Sequence, residues 1–254
     1  MAKIHVLLKK EELDRERLAG KTVIVLDVLF ATSTLVAALG HGAREVIPTP
    51  DGDAALRVAA GRDPGSYVLA GELNADTLPG FVQPTPLALL REDVRGRTVI
   101  QSTTNGTVAL HKSRAAAHVY AAALLNGSAV VDHVAQAHPD ETVLIVCSGS
   151  ADNFNLEDFY AAGHLVSLFE RDRAGHDFSD AAVAARLLAA RHEGHDCLRS
   201  ARVGRMMHER GLAEEVAYAA QIDLFDVVPK FEAGRLRPAT PVAPPAPVAV
   251  PSSP

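Results

Sequence analysis

Cysteine is nearly absent from the chain. The only two in 254 residues, Cys147 and Cys197, lie in no CxxC or Cys/His spacing, which excludes a disulfide framework or a zinc cage and suits a reducing cytoplasm. No run approaches the eighteen or so apolar residues of a membrane span, and in MAKIHVLLKKEELDRERL charge interrupts the apolar stretch within a few residues. A soluble, cytoplasmic protein with no membrane partner and no export signal is expected. Positive charge is in the minority, 25 Lys+Arg against 31 Asp+Glu for a net charge of −6, which argues against a nucleic-acid partner held by bulk charge. Neither GxGxxG nor GxxxxGK[ST] occurs, and HEGH at His192 to His195 misses the HExxH zinc spacing. The last seventeen residues, PATPVAPPAPVAVPSSP, lack charge altogether and hold seven of the 15 prolines. Residues 238–254 are therefore expected to be an extended or disordered tail, and 1–237 one folded domain.

What the chain does have is alternation. Short β-branched runs follow one another with Ala- and Leu-rich helical stretches between them, the pattern of a three-layer α/β/α fold on a largely parallel sheet. Three units share one plan of strand, polar turn and helix. TVIVLD leads through Ala31 to Thr34 into LVAALG, TVIQS through TTNG into TVALHKS, and TVLIVCS through GSADNFN into LEDFYAAGHLVSLF. AREVIP and SYVLAGE are further strand candidates, DAALRVAA, NGSAVVDHVAQA, SDAAVAARLLAARHE, DCLRSARVGRMMHERG and EEVAYAAQI are helical, and VVP from Val227 is a final strand candidate. Ligands of such sheets bind beyond the carboxyl ends of the strands, so the three polar turns are expected to share one edge.

Asp27 closes an otherwise apolar strand, where a carboxylate is costly unless it faces a site, a metal or a cap. As metal ligand, general base, nucleophile or plain strand end it remains open. An aspartyl nucleophile of the haloacid-dehalogenase kind would need a second Asp two residues on, and Leu29 stands there. STTNGT, Ser102 to Thr107, places four hydroxyls, an amide and Gly106 ahead of a helix. It reads either as an anion cradle, with Thr103, Thr104, Asn105, Gly106 and Thr107 contributing, or as an Asn-Gly turn with a Thr cap. Thr32, Ser33 and Ser148, in the other two turns, are further candidate anion ligands. Asn155 with Asp158 resembles a capping box. If Glu157 and Asp158 lie near Asp27 and Glu72, however, a hard cation such as Mg²⁺ is expected among the four. Cys147, inside an apolar run, reads as a buried small hydrophobe.

Taken in order, LDVLFATST, AREVIP, AGEL, Gly80-Phe81, STTNGT, LLNGSAV, CSGSADNFNLEDFYAAG and VVP resemble the 2-phosphosulfolactate phosphatase family over most of residues 4–237. The resemblance implies a three-layer α/β, magnesium-dependent acid phosphatase that converts 2-phospho-3-sulfolactate to 3-sulfolactate and phosphate, a step towards coenzyme M in methanogens. By analogy it implies a homodimer. Position by position it points to Asp27, Thr32, Glu72, Thr103 to Thr107, Glu157 and Asp158, with catalysis by Asp27, Glu72 and Asp158 and Mg²⁺ held by Asp27, Glu72, Glu157 and Asp158. The chain departs from the family pattern in two places. Phe30 stands where relatives show Arg, and Val82 to Pro86 replaces an Asp followed by an Asn-Ser-Pro turn. The competing class is a non-catalytic relative that binds a small anion, or a phosphatase with another small substrate.

Overall fold

Period-two burial in the strands sets the layering. In the strand carrying Val23 to Leu26, Val23 and Val25 enter one apolar cluster and Ile24 and Leu26 the opposite one, all fully buried, as a strand covered on both faces requires. The structure, a computed structural model, describes residues 2–171 and 175–241. Its strands are β1 (Lys3–Leu7), β2 (Lys21–Leu26), β3 (Glu45–Thr49), β4 (Tyr67–Leu73), β5 (Asp76–Thr77), β6 (Thr98–Ser102), β7 (His118–Ala122), β8 (Thr142–Cys147), β9 (Asp177–Phe178), β10 (Pro229–Glu232) and β11 (Arg235–Pro238). Its helices are α1 (Ala31–Gly40), α2 (Gly52–Ala59), α3 (Pro86–Leu90), α4 (Gly106–Ser113), α5 (Gly127–Ala137), α6 (Leu156–Arg171), α7 (Asp180–Ala189), α8 (Gly194–Ser200), α9 (Arg202–Glu209) and α10 (Ala213–Ala219). Buried side chains of α1, α3 and α4 fill one cluster, and those of α5 through α10 the other. This is the expected α/β/α layering. Cys147 is fully buried in the second cluster, as expected of a small hydrophobe.

The sheet order is β5-β4-β6-β3-β11-β10-β7-β2-β8-β1-β9. It contains two parallel blocks, β4-β6-β3 and β7-β2-β8-β1-β9. Between them lies the antiparallel hairpin β10-β11, which pairs antiparallel with β7 on one side and β3 on the other. β2 and β6 are thus five strand steps apart. Their carboxyl ends nevertheless meet, with Gly106 after β6 packed against Asp27 and Ala31 after β2. Glu45 on β3 anchors the hairpin, accepting from Arg237 Nη2 at 2.6 Å, Arg237 Nε at 3.0 Å and Arg235 Nη1 at 3.1 Å. Desolvation pushes the Glu45 carboxyl up, but the two guanidiniums outweigh it and hold the group below its ordinary range.

Several local expectations change. Ala31 to Thr34, expected as a turn, form the first turn of α1. DCLRSARVGRMMHERG breaks into α8 and α9 at Ala201, whose ψ of 154° is extended. The final strand starts only at Pro229, and β11 follows it without having been anticipated. β11 ends at Pro238, and the Ala239 amide donates to the Val228 carbonyl at 2.8 Å, so the described fold passes slightly beyond Arg237. The expected Pro-rich tail from residue 242 onward lies outside the described residues. Among the described residues, no helix is long and apolar enough to cross a membrane.

Candidate active site

The loops after β2, β6 and β8 and the end of β4 surround a cavity of about 260 Å³. Asp27, Glu72, Thr103, Thr104 and Asn105 form its polar side, while Phe30, Val203, Met206, Met207 and Leu212 form an apolar wall. The turn at Gln83 to Thr85 completes the rim. Glu215 of α10 holds that turn by accepting from Thr85 Oγ1 at 2.6 Å and from the Leu87 and Ala88 amides, each at 2.8 Å. A carboxylate from another helix thus satisfies free amides in the first turn of α3.

Asp27 follows β2 directly and is 7 % exposed. Its backbone is locked to Thr32, the Asp27 amide donating to Thr32 Oγ1 and the Thr32 amide to the Asp27 carbonyl, both at 2.9 Å. Ser33 Oγ donates to the Val28 carbonyl at 2.8 Å. Thr32 and Ser33, expected to hold an anion, are fully buried and spend their hydroxyls on this loop. Their effect is to fix Asp27. The Asp27 carboxylate accepts from the Ala31 and Gly106 amides; burial, reinforced by the charge of Glu72, pushes it up to about 6.

Glu72 is held as firmly. Its Oε1 accepts from the Thr104 amide at 2.7 Å and Thr104 Oγ1 at 2.9 Å, and its Oε2 from the Ala75 amide at 2.6 Å. The Thr107 amide turns to Thr103 Oγ1 at 3.4 Å, and Thr107 Oγ1 donates to the Thr103 carbonyl at 2.7 Å. STTNGT therefore differs from the expected cradle, because its Thr104, Gly106 and Thr107 amides are engaged by Glu72, Asp27 and Thr103. The start of α4 cradles the protein's own carboxylates. Gly106 is required there, since a Cβ would lie 2.6 Å from Ala31 Cβ and 2.8 Å from Asp27 Oδ2.

At the start of α6 the two acids separate in role. Asp158 is 1 % exposed, and its Oδ1 and Oδ2 accept from the Val28 amide at 2.9 Å and the Gly149 amide at 3.2 Å. It ties the loops after β2 and β8 together and does not line the cavity, in contrast to the catalytic position expected for it. Burial, then the charges of Asp27 and Glu157, push it well above the carboxylate range. Glu157 is equally buried, yet among the described residues neither of its oxygens has a hydrogen-bond partner. Burial, with Asp27 also contributing, raises it to about 7. Ser148 lies beneath the floor, fully buried and off the cavity lining, with its carbonyl accepting from Lys10 Nζ at 3.2 Å.

Two cations here have no sequence signature. Lys10 is 6 % exposed and bonds Asn105 Oδ1 at 3.1 Å. It reaches the site because β1 pairs with β8, a non-local fact that no motif around LLKKEE encodes. Arg202, at the break between α8 and α9, lines the cavity and donates to Ser150 Oγ and, at 3.3 Å, to Asn155 Oδ1. The break at Ala201 was the missing signal.

The chain itself has counterparts among known proteins. The family model described as 2-phosphosulpholactate phosphatase matches residues 7–234. A relative from Caldanaerobacter subterraneus subsp. tengcongensis is 35% identical over 229 residues, covering 88% of this chain and 92% of the relative. One from Symbiobacterium thermophilum is 34% identical over 224 residues, 87% and 95% of the two chains. One from Clostridium novyi is 29% identical over 231 residues, 90% and 97% of the two. All three carry the name "Probable 2-phosphosulfolactate phosphatase". The match runs from the last residue of β1 to the β10-β11 turn and includes every carboxylate of the site, and the chain belongs to the 2-phosphosulpholactate phosphatase family.

Proposed function

We propose that this chain is a cytoplasmic, Mg²⁺-dependent phosphatase that hydrolyses 2-phospho-3-sulfolactate to 3-sulfolactate and inorganic phosphate. The observation that carries the reading is the convergence of Asp27 and Glu72 on one small cavity, with the carboxylate of Glu157, which has no hydrogen-bond partner among the described residues, buried off its lining but close enough for Asp27 to act on it. The donor set suits the ion. Asp27, Glu72, Glu157 and Asp158 bring four potential negative charges against the two positive ones of Lys10 and Arg202, and every donor offered is oxygen, the preference of a hard cation. Asp27, Glu72 and Glu157 would hold Mg²⁺, which when bound offsets phosphate charge and makes a bound water more acidic.

The remaining work falls to the chain itself. Asp27, on a loop locked by Thr32 and lining the cavity beside Glu72, is placed to orient the water that replaces the phosphate ester. Lys10 and Arg202 supply the positive field for an anionic substrate, and Thr103, Thr104 and Asn105 present polar groups on the same side. Asp158 and Thr32 position the loop that bears Asp27. A cavity of about 260 Å³ fits a three-carbon ester and is small for a nucleotide.

One observation favours a second reading. Phe30 continues an apolar wall formed with Met206 and Met207, which suits a phosphomonoester with fewer charges than a sulfonate. Phosphate release from 2-phospho-3-sulfolactate, 2-phospholactate and 3-phosphoglycerate, assayed with Mg²⁺ and then with EDTA, separates the readings. Preference for the sulfonate, lost with EDTA, supports the first, and preference for phospholactate supports the second. If no ester turns over while phosphate or sulfolactate still raises the melting temperature, the enzyme reading is abandoned in favour of a binding protein.

A further inference from the structure

At the opposite end of β2, the amino ends of β2, β7 and β8 gather a second group of titratable side chains. His118 opens β7, His138 follows α5, Glu141 precedes β8, and Thr22 pairs with His118 across β2 and β7. Glu141 Oε1 lies 3.3 Å from His118 Nε2 and 3.7 Å from His138 Nδ1. Its Oε2 accepts from Thr22 Oγ1 at 2.7 Å. All three candidate donor atoms fall within 4.8 Å of one another. We propose that His118, His138 and Glu141 form a binding site for one transition-metal dication of the zinc class, separate from the phosphatase site.

The separations fit such an ion. Tetrahedral coordination with bonds of about 2.0–2.1 Å places neighbouring donors about 3.3–3.4 Å apart, and the 3.3 and 3.7 Å separations are close to that edge. The surrounding groups also orient the ligands. Tyr120 Oη lies 2.9 Å from His138 Nε2 and 3.1 Å from His133 Nε2, and its one proton can serve only one ring. With His138 Nε2–H donating to Tyr120 and Tyr120 donating to His133, the lone pair of His138 sits on Nδ1, facing Glu141. Thr22 fixes the carboxylate in the same way, and outer partners of this kind set tautomer and aim in metal sites. Burial, reinforced by His118, holds His138 below the ordinary imidazole value, towards the neutral form that ligates.

Two imidazoles and one carboxylate select Zn²⁺, Co²⁺, Ni²⁺ or Cu²⁺ over Mg²⁺. The two rings stack at 3.7 Å with planes 16° apart, so taking up an ion requires them to fan open. The adjoining cavity, bordered by His118, His133 and His138, leaves room for that movement and a path for the ion. Thr22 and Asp27 are five residues apart on one extended strand, about 17 Å at 3.3 Å per residue. A bound ion there would clamp β7 to the loop before β8 without meeting the substrate.

The test is a Co²⁺ titration of the full chain after chelator stripping, followed by visible absorption and Zn²⁺ displacement. Expected is one saturable equivalent with the intense absorption of tetrahedral Co²⁺, displaced by Zn²⁺ and retained in Asp27→Asn. His118→Gln and His138→Gln should each weaken it by at least about tenfold, and Tyr120→Phe by about tenfold, with far-UV circular dichroism confirming the fold. If either His variant fails to fold, Glu141→Gln takes its place. Mg²⁺-dependent phosphate release should stay within about twofold in the His variants, the separateness expected of distant sites. Absence of the saturable absorption, its persistence in the folded variants, or its loss in Asp27→Asn would each overturn the proposal.

Discussion

Replacing Asp27 by Asn should make the metal-free protein more stable at neutral pH while abolishing turnover. Folding raises the Asp27 carboxyl from 3.8 to about 6, chiefly through burial and then through the charge of Glu72. The folded state therefore binds this proton more tightly than the unfolded state, and stability falls as pH rises between about 4 and 6. Above that window the full cost applies, about 3 kcal/mol at 1.36 kcal/mol per pH unit. Asn removes the charge but returns only part of this, because its NH₂ cannot accept from both the Ala31 and Gly106 amides. One lost charge-assisted bond is worth about 1–2 kcal/mol. The net gain above pH 7 is then about 1–2 kcal/mol, and it shrinks to less than about 1 kcal/mol at pH 4, where Asp27 is protonated in the fold and about half ionised in the unfolded chain. Asp27 also raises Glu157 and Asp158, so its removal eases their ionisation in the same direction. The measurement is urea unfolding of both proteins in EDTA at pH 4, 6 and 8, alongside phosphate release with Mg²⁺. A wild-type protein that loses nothing relative to the variant between pH 4 and 8 refutes the account of a strained, buried carboxylate; an active variant removes Asp27 from the chemistry.

Gly106→Ala should lower the unfolding free energy by about 1–3 kcal/mol through overpacking and reduce kcat, since the new Cβ meets Ala31 and the Asp27 carboxylate; unchanged kcat in a folded variant counts against that contact. Glu215→Ala removes three hydrogen bonds from the turn at Thr85 to Ala88 and should cost about 2–3 kcal/mol by chemical denaturation, with KM rising more than kcat falls; an unaltered KM would show that this turn does not shape the cavity. Glu45→Gln should cost about 1–2 kcal/mol at pH 7, below the range for a fully buried pair because Arg235 and Arg237 are 38 % and 57 % exposed. Its carboxyl is held down in the fold, so this contribution is present above its unfolded value of 4.5 and fades as pH falls through the lower folded one; a variant difference that grows towards acid pH contradicts it.

Much of the fold can be read from local patterns because β2, β6 and β8 are buried on both faces and appear as continuous apolar runs. The strands left unassigned are those whose partners are remote or whose composition is ordinary. HVYAA becomes β7 only by lying beside β2, and RLRP becomes β11 through Glu45 and the hairpin. In the site, Asp27 is legible because a carboxylate closing an apolar strand is costly without a purpose, whereas Glu72 is legible only as one of a possible cluster of acids and through the family resemblance. The expected roles of Thr32, Ser33 and the STTNGT amides changed for one reason: a hydroxyl or amide near a strand end serves the nearest buried acceptor first, and here that acceptor belongs to the protein. Lys10 and Arg202 were hidden because a lysine after a strand and an arginine at a helix break look like surface residues until the sheet order places them.

The hairpin at β10-β11 has a consequence for biosynthesis. Until those residues leave the ribosome, β7 and β3 each present an unpaired edge, and an open strand edge invites pairing with another chain. The nascent protein therefore carries both adhesive borders from the completion of β7 at Ala122 until β10 begins at Pro229, and the hairpin strands then join them into one sheet. A chain stopped before Pro229 would leave both borders open, and its fate would be set by aggregation before catalysis became relevant.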